Sequence, residues 1–217
     1  LFWTGVSRTI FVRQRKNKAV EVLSNVINGY SASSVRILNL PCGSCRELKE
    51  MLTSQKIHRK GSLSFGLIDH DEEAISFSKQ ALDVFQQDTI RFSYFRENIL
   101  KFYDNKLHYE KLFGKQDIIY SIGLIDYFPD KMLKKMLQFC LDLLATGGKL
   151  ILTIKDKDRD PFAPLPPGWF CDWEFVPRNE KDIVDLLHGL QCPLNIKTEL
   201  DNSGKIVFLE IMKNDDR

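Results

Sequence analysis

Residues 35–48 read VRILNLPCGSCREL, and this stretch decides the fold. Its first half, VRILNL, is a short and mainly apolar run, which is typical of a strand buried on both faces of a parallel sheet. Proline and glycine then interrupt the run, and CREL begins a segment that favours a helix. The stretch therefore predicts a strand, a tight turn and a helix that starts near Ser44.

The same alternation of apolar runs and amphipathic segments repeats along the chain. Strands are predicted at residues 35–40, 63–69, 90–98, 116–124 and 149–155, and helices at 45–55, 71–85 and 130–144. Such alternation is typical of βαβ units, whose strands form one mostly parallel, doubly wound sheet.

The pattern changes after residue 155. A loop rich in charge and proline follows, then a helix over NEKDIVDLLHGL, and then two strands around the hairpin turn DNSG at residues 201–204. The predicted fold class is α/β, with a doubly wound, Rossmann-like, seven-stranded sheet whose last strand is antiparallel.

Residues 1–33 are predicted to be a helical segment, and residues 34–217 the main domain. An apolar stripe of helical period runs along residues 19–27, and Gly29 is the expected end of that helix. The first residue is Leu rather than Met, so we expect the sequence to be trimmed at its N-terminus.

A short basic run precedes the apolar stripe. It belongs either to a solvated helix start or to a cap over a ligand or an anionic surface. Its members are Arg13, Arg15, Lys16 and Lys18.

The length, composition and charge of the chain limit the classes of function that it can have. The chain has 217 residues, of which 43% are hydrophobic, and a formal net charge of only +2. This suits one sizeable core, and so small a charge does not favour a nucleic-acid partner. No apolar run reaches the length of a membrane span. Five cysteines with only one close pair favour a reducing, cytoplasmic compartment over a disulfide framework.

The close pair, Cys42 and Cys45, has the spacing of a zinc knuckle or of a redox pair. A structural zinc site needs about four ligands, and the other Cys and His residues supply no second close pair. Three interpretations of the pair therefore remain open: a metal site, a redox pair, or two small buried side chains. We favour the third, with Cys42 under the turn and Cys45 facing the sheet.

Gly43 and Asp69 together predict a nucleoside site. In a doubly wound sheet, ligands bind at the carboxyl ends of the strands, close to the point where the strand order reverses. Gly43 lies in the turn after the first strand, where the lack of a Cβ lets a ligand approach the backbone. Asp69 ends the second strand, where a carboxylate can accept both ribose hydroxyls. The alternative for Asp69 is an acid at a helix N-terminus.

Over residues 34–213 the chain resembles the class I S-adenosylmethionine-dependent methyltransferases. Their first motif is an apolar strand followed by Asp/Glu-x-Gly-x-Gly-x-Gly, and only its middle glycine, Gly43, is retained here. The resemblance implies S-adenosyl-L-methionine as the cofactor. The residues that would bind it at the turn are Asn39 in place of the acid, Pro41 in place of the first glycine, Cys42 and Gly43.

Later motifs complete the cofactor site that the resemblance implies. In FGLIDHDEEAI, Asp69 would hold the ribose hydroxyls and His70 would flank the adenine. In RENIL, Asn98 would lie near the adenine amine, with Ile99 beside the ring. In DIIYSIGLIDYFPD, the strand end Ser121-Ile122-Gly123 would face the sulfonium and its methyl group.

Two regions are candidates for catalysis and acceptor binding. Asp126 and Tyr127 are predicted to orient the acceptor or handle a proton, with a helix cap and a core aromatic side chain as the alternative. The loop at 161–178 is predicted to be a lid. In it, Trp169 and Trp173 line an apolar pocket and Arg178 pairs with an acceptor carboxylate, the alternative being loop packing and an ion pair.

A narrower resemblance concerns the acceptor. PCGSCREL, YSIGLIDYFPD and the spacing DP…W…PR are similar to bacterial proteins linked to making 3-hydroxy-fatty-acid methyl esters. This implies methyl transfer to a carboxylate oxygen of a fatty-acid-like molecule, with a hydroxyl oxygen or another small molecule as alternatives.

Other functions remain as competing hypotheses. A catalytically silent cofactor-binding or protein-interaction module would keep the same fold. A nucleic-acid methyltransferase is disfavoured, because no Asn/Asp-Pro-Pro-aromatic motif follows the fourth strand. A dehydrogenase is disfavoured by the final hairpin and the lost glycines. The oligomeric state is left open.

Overall fold

The structure is a computed structural model that describes residues 7–159, 175–190 and 192–214, with side chains described from residue 12 onward. Within these ranges the α-helices are α1 (Ser7–Asn28), α2 (Arg46–Thr53), α3 (Glu72–Leu82), α4 (Lys106–Phe113), α5 (Asp130–Leu143) and α6 (Glu180–His188). The strands are β1 (Ser34–Asn39), β2 (Ser62–Asp69), β3 (Ile90–Arg96), β4 (Gln116–Ser121), β5 (Leu144–Lys155), β6 (Leu194–Leu200) and β7 (Ile206–Lys213). Short 3₁₀ turns lie at Asp83–Phe85, Ile99–Lys101 and Ile125–Tyr127.

The strands form one seven-stranded sheet in the order β3-β2-β1-β4-β5-β7-β6. The pairs from β3 to β5 are parallel, whereas β7 is antiparallel to both β5 and β6. The predicted doubly wound, Rossmann-like sheet with an antiparallel last strand is therefore confirmed. Because the chain runs from β1 out to β3 and then returns to β4, the order reverses between β1 and β4. A crevice is expected above the carboxyl ends of these two strands.

Helices cover both faces of the sheet, which explains why β1 has apolar residues on both of its faces. Val35 and Ile37 pack with residues of α1, α2 and α3, whereas Leu38 and Leu40 pack with residues of α4, α5 and α6. Successive side chains of a strand point to opposite faces, so a strand between two helical layers carries apolar residues on both faces.

Helix α1 packs its apolar stripe into the same core layer as β1 and α2. The helix ends at Asn28, directly before Gly29, as predicted. Within the described ranges, no helix is both long and apolar enough to cross a membrane.

Two elements differ from the sequence prediction. No element was predicted between residues 99 and 115, yet α4 lies there and buries only Tyr109 and Phe113, a stripe too narrow to show a clear period. Strand β5 begins at Leu144 instead of 149, because the predicted ATGG turn lies inside the strand beside a register shift against β4.

Candidate functional site

The turn after β1 is held between the two neighbouring strands. Leu40 N–H donates to Tyr120 O of β4 at 3.1 Å, and Cys42 N–H donates to Ile68 O of β2 at 2.7 Å. Gly43 has a φ of 52°, and nothing lies within 4 Å of the position that a Cβ would take there. The space above Gly43 is therefore open to a ligand.

Cys42 and Cys45 are free thiols, both buried under this turn, and Pro41 before them follows a cis peptide bond. Cys45 precedes α2 with a φ of 47°, and its Sγ donates to Cys42 O at 3.5 Å. Hydrogen bonding to Cys42 and burial raise the pKa of the Cys45 thiol, which keeps it protonated. Among the described residues, no group of His, Cys, Asp or Glu side chains is arranged to hold a metal ion. These contacts favour the interpretation of two small buried side chains.

Asp69, at the end of β2, is tied directly to the turn. Its Oδ2 accepts a hydrogen bond from Gly43 N–H at 2.9 Å, and its Oδ1 accepts one from Asp71 N–H at 3.1 Å. Asp69 is 6% exposed, whereas the His70 side chain is 78% exposed, with Nδ1 3.4 Å from Asp69 Oδ1. Asp71 caps α3 through its side chain, so Asp69 does not serve as the cap.

Asn98 and Ile99 lie on the same edge, directly after β3. Glu97 N–H donates to Asp69 O at 2.9 Å, which holds the end of β3 beside that of β2. Asn98 Oδ1 accepts a hydrogen bond from Leu100 N–H at 2.9 Å, and Ile99 is partly buried against the core. The amide oxygen of Asn98 is thus already engaged, with one lone pair left for a ligand amine.

The end of β4 lies beside a side chain of α1, Arg15, which was not predicted to belong to the site. Ser121 is 1% exposed, and its hydroxyl has no hydrogen-bond partner within the described part of the chain; Ile122 packs against the α1 layer. Gly123 has a φ of 81° and donates its N–H to Thr153 Oγ1 at 2.9 Å. A Cβ at Gly123 would come within 2.3 Å of Arg15 Nη1, so the guanidinium of this α1 residue occupies the space beside the glycine.

Asp126 and Tyr127 lie in the 3₁₀ turn that follows. Asp126 is 6% exposed, and its Oδ1 accepts a hydrogen bond from Lys155 N–H at 3.2 Å. Burial raises the pKa of Asp126 to about 6, against the opposing effects of this hydrogen bond and of the Arg15 charge. Tyr127 is 39% exposed, with its ring centroid 4.9 Å from that of Phe175. With a pKa of about 6, the Asp126 carboxylate is ionised at neutral pH and basic enough to take a proton.

Arg178 uses its donors inside the protein. The residue is 3% exposed, and its guanidinium donates to Asp130 Oδ1 at 2.6 and 3.0 Å and to Ile125 O at 3.1 Å. A further bond goes to Phe128 O. These contacts favour the alternative of an ion pair over the predicted pairing with an acceptor carboxylate.

Trp169 and Trp173, which were predicted to line the acceptor pocket, lie outside the described residues, as does most of the predicted lid. Where the described chain resumes, Val176 N–H donates to Asp126 O at 2.7 Å. The end of this segment therefore lies against the loop that carries the catalytic candidates.

Cavities lined by described residues also lie apart from the crevice. One, of about 530 Å³, lies at the amino ends of β2 and β3 and is lined by residues such as Arg59 and Gln87. Another, of about 360 Å³, is an apolar groove between α5 and the 3₁₀ turn Ile99–Lys101. The second borders Ile99, and neither contains Gly43, Asp69 or Asp126.

Two charged residues of the crevice have no specific role in the sequence-based prediction. Arg15 was noted only as part of a basic run, and Glu47 was not singled out. Both lie one helical turn before a buried residue, Arg15 before Ala19 and Glu47 before Met51. A charged residue on the apolar face of a helix was therefore the sequence signal that could have pointed to Arg15 and Glu47.

No protein-family model and no curated protein sequence matches the chain, but its fold is shared with many solved structures. A protein of Bordetella parapertussis described as a possible exported protein is 16% identical, with a TM-score of 0.69 over 94% of this chain and 68% of that one. Magnesium protoporphyrin IX methyltransferase of Synechocystis, solved with bound SAH, is 14% identical, with a TM-score of 0.66 over 93% of this chain and 84% of that one. The N-methyltransferase NodS of Bradyrhizobium japonicum is 14% identical, with a TM-score of 0.57 over 93% and 97%. At these identities the likeness shows the fold alone, which this chain shares with both methyltransferases.

Proposed function

We propose that the protein transfers a methyl group from S-adenosylmethionine to an oxygen atom of a small molecule. The observation that carries the proposal is the hydrogen bond of 2.9 Å from Gly43 N–H to Asp69 Oδ2. It joins the glycine turn after β1 to the carboxylate that ends β2, next to the point where the strand order reverses.

The described residues fit the proposed cofactor. Each carboxylate oxygen of Asp69 accepts one backbone N–H and keeps a lone pair for a ribose hydroxyl. The open space above Gly43 allows the nucleoside to approach the main chain. His70 and Ile99 would border the adenine, one from an exposed and one from a partly buried position.

The proposed chemistry divides between the cofactor and the chain. When bound, the cofactor supplies an electrophilic methyl group on a positively charged sulfur. The chain has to align the acceptor oxygen and, where that oxygen belongs to a hydroxyl, accept its proton. Asp126, with its pKa raised to about 6 by burial, is the proposed base, and Tyr127 is the proposed orienting residue. A carboxylate acceptor is already ionised and needs no base.

The acceptor is proposed as a small molecule with a carboxylate or hydroxyl oxygen. A fatty-acid-like acceptor is a finer hypothesis, and its predicted pocket residues, Trp169 and Trp173, lie outside the described chain. The competing hypothesis of a catalytically silent module predicts cofactor binding without turnover.

Two measurements test the proposal. Isothermal titration with S-adenosylmethionine and S-adenosylhomocysteine is expected to show binding of both. Methyl-labelled cofactor, incubated with a panel of hydroxy acids, fatty acids and amines, is expected to label an oxygen acceptor. Absence of binding by folded protein would overturn the proposal, and binding without any labelled product would favour the silent module.

A further inference from the structure

Arg15 and Glu47 bring opposite charges to the crevice between β1 and β4. The Arg15 guanidinium lies against Gly123, just after β4, where its Nη1 is 2.3 Å from the position of a Cβ on that glycine. Arg15 comes from α1, whereas Glu47 comes from the first turn of α2. The two charges are thus carried by helices and not by the turn that follows β1.

Hydrogen bonds place the Glu47 carboxylate between the ends of the two strands. Its Oε1 accepts from Tyr120 OH of β4 at 3.3 Å and from Asn39 Nδ2 of β1 at 3.4 Å. Tyr120 and Asn39 are each only 1% exposed, so both donors are fixed in the sheet. Glu47 as a whole residue is only partly buried, although burial has the largest effect on the pKa of its carboxyl group and raises it.

Each charge lacks a close ionic partner. Within the described residues, neither Arg15 nor Glu47 forms an ion pair, although neighbours on the same two helices, Lys16 and Glu50, pair with each other. The Arg15 charge acts on the Glu47 carboxyl from a distance, opposing the larger effect of burial, which raises the pKa of that carboxyl. An unpaired, partly buried charge is costly unless a partner compensates it.

A cation and an anion on two sides of one crevice match a ligand in which an ammonium group and a carboxylate group are attached to the same carbon atom. We propose that Arg15 and Glu47 bind the amino-acid end of the cofactor, with Arg15 donating to its carboxylate and Glu47 accepting from its ammonium. This inference rests on the proposed function. It assigns recognition of the ligand's charged end to two helices that flank the site.

The contacts of Glu47 argue against a purely structural role. Both hydrogen bonds from the sheet are longer than the usual distance, and both go to the same carboxylate oxygen. Within the described chain, no side chain donates to the other oxygen, Oε2; the backbone of Glu47 also hydrogen-bonds to the carboxylate, and an ammonium group would add a charged donor. A guanidinium in turn offers a planar pair of donors that matches a carboxylate.

The test compares two ligands that differ only at the proposed contact. S-adenosylhomocysteine carries the ammonium and carboxylate, whereas methylthioadenosine has the same nucleoside and thioether without them. Titration calorimetry on wild type, Glu47→Gln and Arg15→Gln is expected to show affinity for S-adenosylhomocysteine reduced about 10- to 100-fold by each variant. Affinity for methylthioadenosine is expected to change less than about twofold, because neither charge touches it.

Lys16→Gln and Glu50→Gln are matched controls, because they remove the neighbouring ion pair on the same helices. Both are expected to bind the two ligands as wild type does. If a test variant does not fold, wild type is titrated with S-adenosylhomocysteine analogues that lack either the ammonium or the carboxylate. Each analogue is then expected to bind about 10- to 100-fold more weakly.

The outcomes separate this inference from the proposed function. If wild type binds S-adenosylhomocysteine and the variants bind it equally well, only the inference is overturned. The inference is also overturned if both ligands are weakened equally, or if the analogues bind as tightly as the parent. If wild type binds no adenosyl ligand, the proposed function fails and the inference fails with it.

Discussion

Asp69 and Asp126 are two carboxylates on the same edge of the sheet, each 6% exposed, but their surroundings differ. Asp69 accepts two backbone N–H groups, one on each oxygen, at 2.9 and 3.1 Å. Among the described residues, Asp126 accepts one bond, of 3.2 Å, and burial raises its pKa to about 6. Equal burial therefore does not give the two side chains the same surroundings: two backbone donors fix the position of Asp69, whereas burial makes Asp126 a group able to take up a proton.

The largest expected effect comes from Asp126→Asn. If the acceptor oxygen belongs to a hydroxyl, loss of the base is expected to lower kcat about 100- to 10,000-fold. Cofactor affinity is expected to stay within about twofold, since the proposed contact is with the acceptor. Steady-state kinetics and titration calorimetry measure the two quantities. An unchanged kcat would indicate a carboxylate acceptor or a different base.

Asp69→Ala is expected to act on binding instead. The substitution removes the proposed ribose contact and should raise the cofactor Kd about 10- to 100-fold, as measured by calorimetry. It also releases the N–H of Gly43, so the free energy of unfolding should fall by about 1–3 kcal/mol. Asp71→Ala is the control, because it removes the side-chain cap of α3 and leaves the turn after β1 unchanged. A wild-type Kd in Asp69→Ala would show that the ribose is held elsewhere.

Gly43→Ala tests the open space that accompanies Asp69. A methyl group there meets no atom within 4 Å, so only the left-handed φ should cost stability, about 1–2 kcal/mol. The cofactor should nevertheless bind about 10-fold more weakly, because the new Cβ stands where the nucleoside approaches. Gly147→Ala is closely matched, with a φ of 69° and equally open space, but lies at the other end of the sheet. Equal cofactor affinities for both variants would exclude close approach at Gly43.

The last expected effect is on stability as a function of pH, and not on binding or rate. The folded pKa of Asp126, about 6, is above its unfolded value, so the folded state binds the proton more tightly. The stability that this group contributes is full below the unfolded pKa and is lost as the pH rises through about 6. The loss approaches about 3 kcal/mol for a shift of about two pKa units. Urea denaturation of wild type and Asp126→Asn should show a difference that grows over this range, and a constant difference would contradict the shifted pKa.

Sequence periodicity predicted the sheet well, because strands buried on both faces carry apolar residues on both, as Val35, Ile37, Leu38 and Leu40 do in VRILNL. It missed α4, whose buried side chains, Tyr109 and Phe113, give too short a pattern. It also placed the start of β5 too late, because glycines that usually end a strand here form an irregularity within one.

The candidate site was predicted where a residue's role depends on its place at a strand end, as for Gly43 and Asp69. It was less predictable where the role depends on distant partners. Nothing local distinguishes an Arg178 that donates to Asp130 from one that faces a ligand. Likewise, the approach of Arg15 to Gly123 joins residues far apart in the chain, and periodicity carries no information about such pairs.

The position of β7 between β5 and β6 has a consequence for synthesis of the protein. The strands β1 to β5 can pair with one another as they leave the ribosome, but the outer edge of β5 finds its partner only when residues 206–213 have been made. Until then, seven consecutive residues of β5, each paired with β7 in the finished sheet, present unsatisfied backbone groups. The nascent chain is most open to mispairing with another strand during that interval.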